Sequence, residues 1–316
     1  MGCKGSRVRI SALRPIETDT YKKPPKGGFF VGDTLRDTLA SGRMSDDDEK
    51  PRFAGSHGIA TLYKLRRYQS YEERGWVRQI IVEHMVYFAK PSALNDPHDL
   101  RPLLELRSYE TEEETRRELL ADARRTWERR TPLPSAQTVD SEEGRLGSIP
   151  LKEFIAEATE KAHRYLERFL VYSLTADVTS RGVWSEYGDN ERGLAIHFRS
   201  DEMPFAAAQQ VAYQPTRPSM LFPWRDQTDA QIAQLATLTK SHGWAHEKEY
   251  RWIKYPDRDY TGSGLRFYGQ HAFFPATSIS GITIGRLMPP SDAAAIRRMA
   301  ESHNPPLRVL EALPVD

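Results

Sequence analysis

Two spacings of apolar residues divide this chain. A period of two, which sends successive side chains to opposite faces of a strand, runs through TLYKL within Ile59–Tyr68, VYSLT at Val171–Thr175 and LAIHF at Leu194–Phe198. It returns in SISGITIG, where Ile282 and Ile284 share a face. A helical period runs through Leu151–Leu170, with Phe154, Ala158, Tyr165, Leu166 and Phe169 on one side. The same spacing predicts helices over Glu72–His84 (Trp76, Ile80 and Ile81 inward), Glu110–Arg130, Thr228–Gly243 and Ser291–Ser302. Met85–Pro91 reads as a strand stopped by its proline, and QQVAYQ, LRFYG and LRVLEAL read as further strands. Ser92–Leu100, built around Asn95-Asp96-Pro97, and the Pro-, Ser- and Gly-containing Thr131–Pro150 read as loops.

Strands and helices alternate here without strict βαβ order and without a glycine-rich strand-to-helix turn. The pattern predicts an α+β fold, with a mixed, mostly antiparallel sheet core and surrounding helices. Residues 57–316 are expected to form a single domain. Residues 1–56, with KKPPKGG and SDDDEKP, read as a poorly ordered polar extension, and an alternative start at Met44 would leave the first 43 residues outside the protein. The rival reading of this end is a lipid anchor: MGCKGS offers Gly2 for myristoylation and Cys3 for palmitoylation. That modification is eukaryotic, whereas the Arg- and Ala-rich body has a bacterial character.

Composition adds exclusions. The chain has 316 residues and is 39% hydrophobic, enough for a substantial core. Its 45 Lys+Arg against 44 Asp+Glu leave +1, which argues against an electrostatic footprint for nucleic acid over the whole protein but leaves local patches open. No apolar run is long enough to span a bilayer, and the N-terminus lacks the apolar core of a secretory signal. The single cysteine, Cys3, excludes an internal disulfide and fits a cytoplasmic location.

Chemistry concentrates in KSHGWAHEKEYRWI, Lys240–Ile253. As a strand, its end places Glu247, Glu249 and Arg251 on one face and Lys248, Tyr250 and Trp252 on the other. Two carboxylates and a guanidinium can form a catalytic face or a solvated ladder of ion pairs. His242, His246 and Glu247 do not follow the HExxH order of zinc proteases, so no metal site is assigned to them.

Four stretches together resemble a bacterial family known as domain of unknown function 2971. They are LYKLRRY (Leu62–Tyr68), ALNDPHD (Ala93–Asp99), WSEYGDNERGLAIHF (Trp184–Phe198) and KSHGWAHEKEYR (Lys240–Arg251). The spacing Lys240–Trp244–Glu247–Glu249–Arg251 matches the family's K-x-x-x-W-x-x-E-x-E-x-R pattern, while His98 and Leu65 depart from its usual Phe and Tyr. More distantly, the order of parts is similar to that of ADP-ribosyltransferase folds. That similarity implies NAD as substrate, Lys64 or Arg66 on its ribose or phosphate, Trp184 or Tyr187 on the nicotinamide, and Glu249 or Glu247 as the catalytic carboxylate. Arg251 would hold a phosphate or tune a neighbouring Glu. An activity of this kind suits a bacterial toxin or an anti-phage defence effector, acting on a protein or nucleic-acid acceptor.

Two other classes stay open at this level. A metal-dependent nuclease would join Asp96 and Asp99 to Glu247, Glu249 and Lys248. A non-catalytic binding or sensor domain would leave Glu249 facing solvent, paired with Arg251. The surroundings of Glu249 separate the three.

Overall fold

Runs of alternating apolar residues become strands around one central sheet in the computed structural model, which describes residues 52–128, 133–223, 229–256 and 258–312. The N-terminal features at Gly2, Cys3 and Met44 lie outside the described residues. In chain order the strands are β1 (Thr61–Arg66), β2 (Met85–Tyr87), β3 (Leu103–Leu106), β4 (Leu170–Thr175) and β5 (Leu194–Arg199). They continue with β6 (Gln209–Gln210), β7 (Ala212–Gln214), β8 (Ser219–Phe222), β9 (Thr239–Ser241) and β10 (Glu249–Lys254). Then come β11 (Arg266–Tyr268), β12 (His271–Phe273), β13 (Ile279–Ile284) and β14 (Arg308–Glu311).

Seven of these strands form a sheet in the order β14-β13-β5-β1-β4-β10-β6. Only β13 and β14 run parallel within it; the other neighbours are antiparallel. With its helices, this is an α+β fold. A small sheet, β11-β12-β2, and two parallel pairs, β3-β8 and β7-β9, lie beside the large one.

Side-chain alternation assigns the two faces. Leu62, Tyr172, Ile196, Phe198, Tyr250 and Trp252 share one core with the small sheet and with the helices Tyr71–Ile81 and Pro290–Ser302. Trp252 is fixed in that core edge-on to Phe88 and by its indole N–H, which donates to the Pro204 carbonyl at 3.0 Å. The opposite face is covered at the β4–β10 end by the helices Glu112–Glu128, Leu151–Leu166 and Asp229–Thr237, which bring Leu119, Phe154, Leu166 and Ile232 against Val171 and Ile253. At the β1–β5 end the short helix Arg181–Tyr187 packs Val183 and Trp184 on Leu65 and Ala195. No helix among the described residues is long and apolar enough to cross a membrane.

The pairing of β1 with β4 sets this sheet apart. β1 pairs with β5 at six positions and β4 with β10 at six, yet β1 meets β4 only at Tyr63–Thr175. Beyond that point the sheet opens between its two halves, and the freed Ser173 carbonyl accepts a hydrogen bond at 2.7 Å from Lys64 Nζ of β1.

Several boundaries differ from the sequence expectation. Residues 136–148 form a helix where a loop is predicted: Ser135 accepts from the Thr138 N–H at its start, and the burial of Leu146 outweighs the two internal glycines. The helix expected to reach Gly243 ends at Thr237; β9 and a 3-10 turn over His242–Glu247 follow. The Met85–Pro91 strand shortens to Met85–Tyr87. Trp76 faces outward, about half exposed, while Ile80 and Ile81 are buried as expected.

At Gly193, just before β5, the chain presses against β1 so closely that a Cβ would stand 2.1 Å from the Arg66 carbonyl oxygen. Gly193→Ala therefore forces the β1–β5 ladder apart and is expected to lower stability by about 1–3 kcal/mol. Urea unfolding measures this, and an unchanged midpoint would contradict the packing described.

Candidate functional site

A cavity of about 650 Å³ occupies the opening between β1 and β4. It reaches both faces of the sheet. Lys64, Arg66 and Tyr172 line it, as do Tyr187, Glu247 and Glu249. Of the seven residues expected from the sequence at a site, five therefore come together. Trp184 and Arg251 do not line the cavity.

Arg251 organises the acidic side. Its side chain is wholly inaccessible to solvent. Nε and Nη2 donate to the two oxygens of Glu249 at 2.7 and 2.8 Å. Nη1 and Nη2 donate to the two oxygens of Asp99 at 2.8 and 2.6 Å, and Nη1 also donates to the Thr237 carbonyl at 2.9 Å. A guanidinium has five N–H donors, and all five are used. The expectation that Arg251 holds a phosphate is corrected: it has neither access nor a free donor. Its part is to hold Glu249 in place.

Lys240, on β9, is the second cation and was not among the expected site residues. Its Nζ lies 2.6 Å from Glu247, 3.3 Å from Glu249 and 3.6 Å from Asp99, over the Trp244 ring. The signal for it is its place at the head of the K-x-x-x-W-x-x-E-x-E-x-R spacing. Asp99 arrives from the Asn95-Asp96-Pro97 turn, where Asp96 accepts from the His98 N–H at 2.8 Å in an Asx turn. The acidic cluster considered for a nuclease is thus rearranged. Asp99 joins Glu249 through Arg251 and Lys240, so two fixed cations already neutralise those carboxylates. Asp96 serves its turn, and Lys248 pairs with Asp177 at 2.7 Å.

Glu247 and Glu249 reach the cavity by different routes. Glu249 opens β10; Glu247 ends the 3-10 turn, and Lys248 between them adopts a left-handed conformation (φ 42°). The two are therefore not simple i, i+2 neighbours on one strand. Their electrostatics differ as well. Burial pushes Glu249 up, but Arg251 and Lys240 outweigh it and hold the carboxyl down at about 2. Burial, with the nearby Glu249 charge, pushes Glu247 above the usual carboxylate range despite Lys240. Tyr187 donates its hydroxyl to Glu247 at 2.5 Å. Burial and then Glu247 push the Tyr187 phenol up, so it stays protonated as a donor.

Trp184 acts at one remove. It is buried, its indole N–H donates to the Val178 carbonyl at 2.7 Å, and it anchors the short helix it shares with Tyr187 against Leu65 and Ala195. The expected nicotinamide stacker is a wedge that positions Tyr187.

The β1 side of the cavity is cationic. Lys64 and Arg66 follow each other on one face of β1, with Lys64 Nζ 5.0 Å above the Tyr172 ring. Among the described residues neither forms an ion pair with a carboxylate, and Arg66 Nε is sealed from solvent without a hydrogen-bond partner. Burial and then the Arg66 charge push Lys64 down to about 7, against the opposing pull of Glu249 and Glu247. Lys64 lines the cavity. Two half-buried cations that line the cavity without an ion pair make a place for an anionic ligand group.

Lys64 also sets a pH dependence. An unfolded lysine keeps its proton up to about 10.4, while the folded one releases it near 7. Between those values the unfolded state binds more protons, so stability rises with pH. Relative to Lys64→Met, the wild type is expected to gain up to about 1 kcal/mol per pH unit from pH 7 towards pH 10. Urea midpoints at several pH values test this, and a constant difference between the two proteins would contradict it.

Comparison with protein-family models, curated proteins and solved structures finds no match to this chain.

Proposed function

We propose that the cavity between β1 and β4 binds NAD and that the protein is an ADP-ribosyltransferase-like enzyme. The observation that carries this reading is the divergence of two carboxyls lining one cavity: Glu249 is held ionised at about 2, and Glu247 is raised. Environments that push two titratable groups apart assign them different roles.

Breaking the bond between ribose and nicotinamide leaves the bonding electron pair on the nicotinamide nitrogen and builds positive charge at the ribose carbon. Glu249, fixed by Arg251 and unable to take up a proton at neutral pH, stabilises that charge without reorganising. The acceptor's nucleophile supplies the electron pair for the new bond to the same carbon. Its proton passes to the ionised fraction of Glu247, whose raised pKa makes it the better base. Tyr187 orients Glu247 through the 2.5 Å hydrogen bond. Lys64 and Arg66, which line the cavity, supply the positive charge that a diphosphate needs. Cationic and anionic side chains lining one cavity match a ligand that carries a diphosphate beside a positively charged ring.

The nuclease reading loses its support because Arg251 and Lys240 stand where the carboxylates converge. Glu249 is buried at a cavity and is not a solvent-facing member of an exposed ladder.

Glu249→Gln keeps the size of the side chain and removes its charge. It is expected to lower nicotinamide release from NAD by about 10²–10³-fold. Nicotinamide is quantified by chromatography with water, protein and nucleic acid as acceptors. Release by the variant at the wild-type rate, or no release by the wild type with any acceptor, would overturn the proposal.

A further inference from the structure

The small sheet beside the cavity carries a surface that the NAD reading does not use. In β11, β12 and β2, Phe267, Ala272 and Val86 turn inward to the core. The alternate positions turn outward and lie in two cross-strand rows: Tyr268–His271–Tyr87 and Arg266–Phe273–Met85. Tyr268 is 64% exposed, Tyr87 44% and Phe273 37%. Large aromatics this open on a paired sheet face have not been placed there by the core. The rings of one row are spaced by the strand separation, about 5 Å. Tyr87 is steadied from the side by Gln270, whose amide donates to its hydroxyl at 2.7 Å, and it meets His271 edge-on with centroids 5.4 Å apart.

Charge selects the partner. The six outward residues include Arg266 and His271 and no carboxylate, in a chain whose net charge is only +1. An apolar protein surface would meet the aromatics equally well but would leave the Arg266 guanidinium without a counter-charge. Single-stranded nucleic acid satisfies both features, because its bases stack on aromatic faces and its phosphates pair with Arg. A duplex hides its base faces and cannot use the rings. The platform is also continuous with the cavity, since Met85, Tyr87 and His271 line both, and Trp76, about half exposed, stands at the same mouth.

We propose that this face docks single-stranded nucleic acid and leads it to the cavity. The docking surface stands on its own geometry; the further step, that the docked strand is the acceptor of ADP-ribosyl transfer, rests on the NAD reading.

The test is fluorescence anisotropy of a labelled single-stranded oligothymidine, without NAD, on the full chain. The protein is expected to bind it, and to bind the matching duplex at least tenfold more weakly. Tyr268→Ala, away from the cavity lining, is expected to weaken binding about tenfold or more. Arg266→Ala is expected to reduce the dependence of log affinity on log salt by about 0.7, one phosphate contact on a single strand. Thermal unfolding of both variants at the wild-type midpoint shows that the fold is kept. Absence of saturable binding, equal affinity for the duplex, or wild-type affinity in the Tyr268→Ala protein would overturn the proposal. NAD cleavage with water as acceptor continuing in Tyr268→Ala while oligothymidine affinity falls separates the docking surface from the cavity's own chemistry. Failure of NAD cleavage alone leaves the anisotropy result to decide the docking surface.

Discussion

A fully buried guanidinium determines how this structure can be put together. An arginine cannot shed its charge to escape burial, so Arg251 requires every donor to be met inside the protein. Meeting them draws in Glu249 from its own strand, Asp99 from a turn 152 residues away and the last carbonyl turn of the helix ending at Thr237. Removing either carboxylate would leave a buried charge short of a partner, a situation that costs about 3–5 kcal/mol in comparable buried pairs. Three segments distant in sequence are thereby locked to one atom group, and the carboxylate at the cavity inherits that rigidity.

The cationic side is built the other way. Lys64 and Arg66 are held in low-dielectric surroundings without a carboxylate of their own among the described residues, and Lys64 answers by releasing its proton more readily. A fold optimised for stability alone would pair or bury neutral groups there. Unpaired charge facing a cavity is a cost that a ligand of opposite charge repays on binding. The opening between β1 and β4 makes both sides reachable from one space, because a continuous ladder at those strands would close it. Trp184, which seats the short helix it shares with Tyr187, extends the same logic to a residue that does not line the cavity.

Much of the fold was legible because periodicity survives wherever one face is buried. β1, β4, β5, β10 and β13 follow their alternation, and the mixed order of strands and helices pointed to α+β. The helix over Ala136–Ser148 was hidden by Gly144 and Gly147, whose local preference is overridden by the burial of Leu146. The run from Thr228 to Gly243 hid β9, since three residues are too few to display a period. At the site, strand spacing pointed to Glu247 and Glu249, and the resemblance to ADP-ribosyltransferase folds pointed to Lys64, Arg66 and Tyr187. The nicotinamide role of Trp184 and the phosphate role of Arg251 fail on access, which a sequence does not show, while the other role weighed for Arg251, tuning a neighbouring Glu, fits its hydrogen bonds to Glu249. The partnership of Asp99 with Arg251 and the bridging position of Lys240 depend on how distant segments meet, which no local pattern records.

The central claim is that Arg251 and burial split two neighbouring carboxyls into one that stays ionised and one that titrates high. Carbon-13 NMR of the side-chain carboxyls of Glu247 and Glu249, assigned with Glu→Gln variants and followed from acid to neutral pH, measures this directly. The account predicts that Glu249 titrates at about 2 and Glu247 above the usual range for glutamate. Both carboxyls titrating together near the ordinary glutamate value of about 4.3 would contradict it.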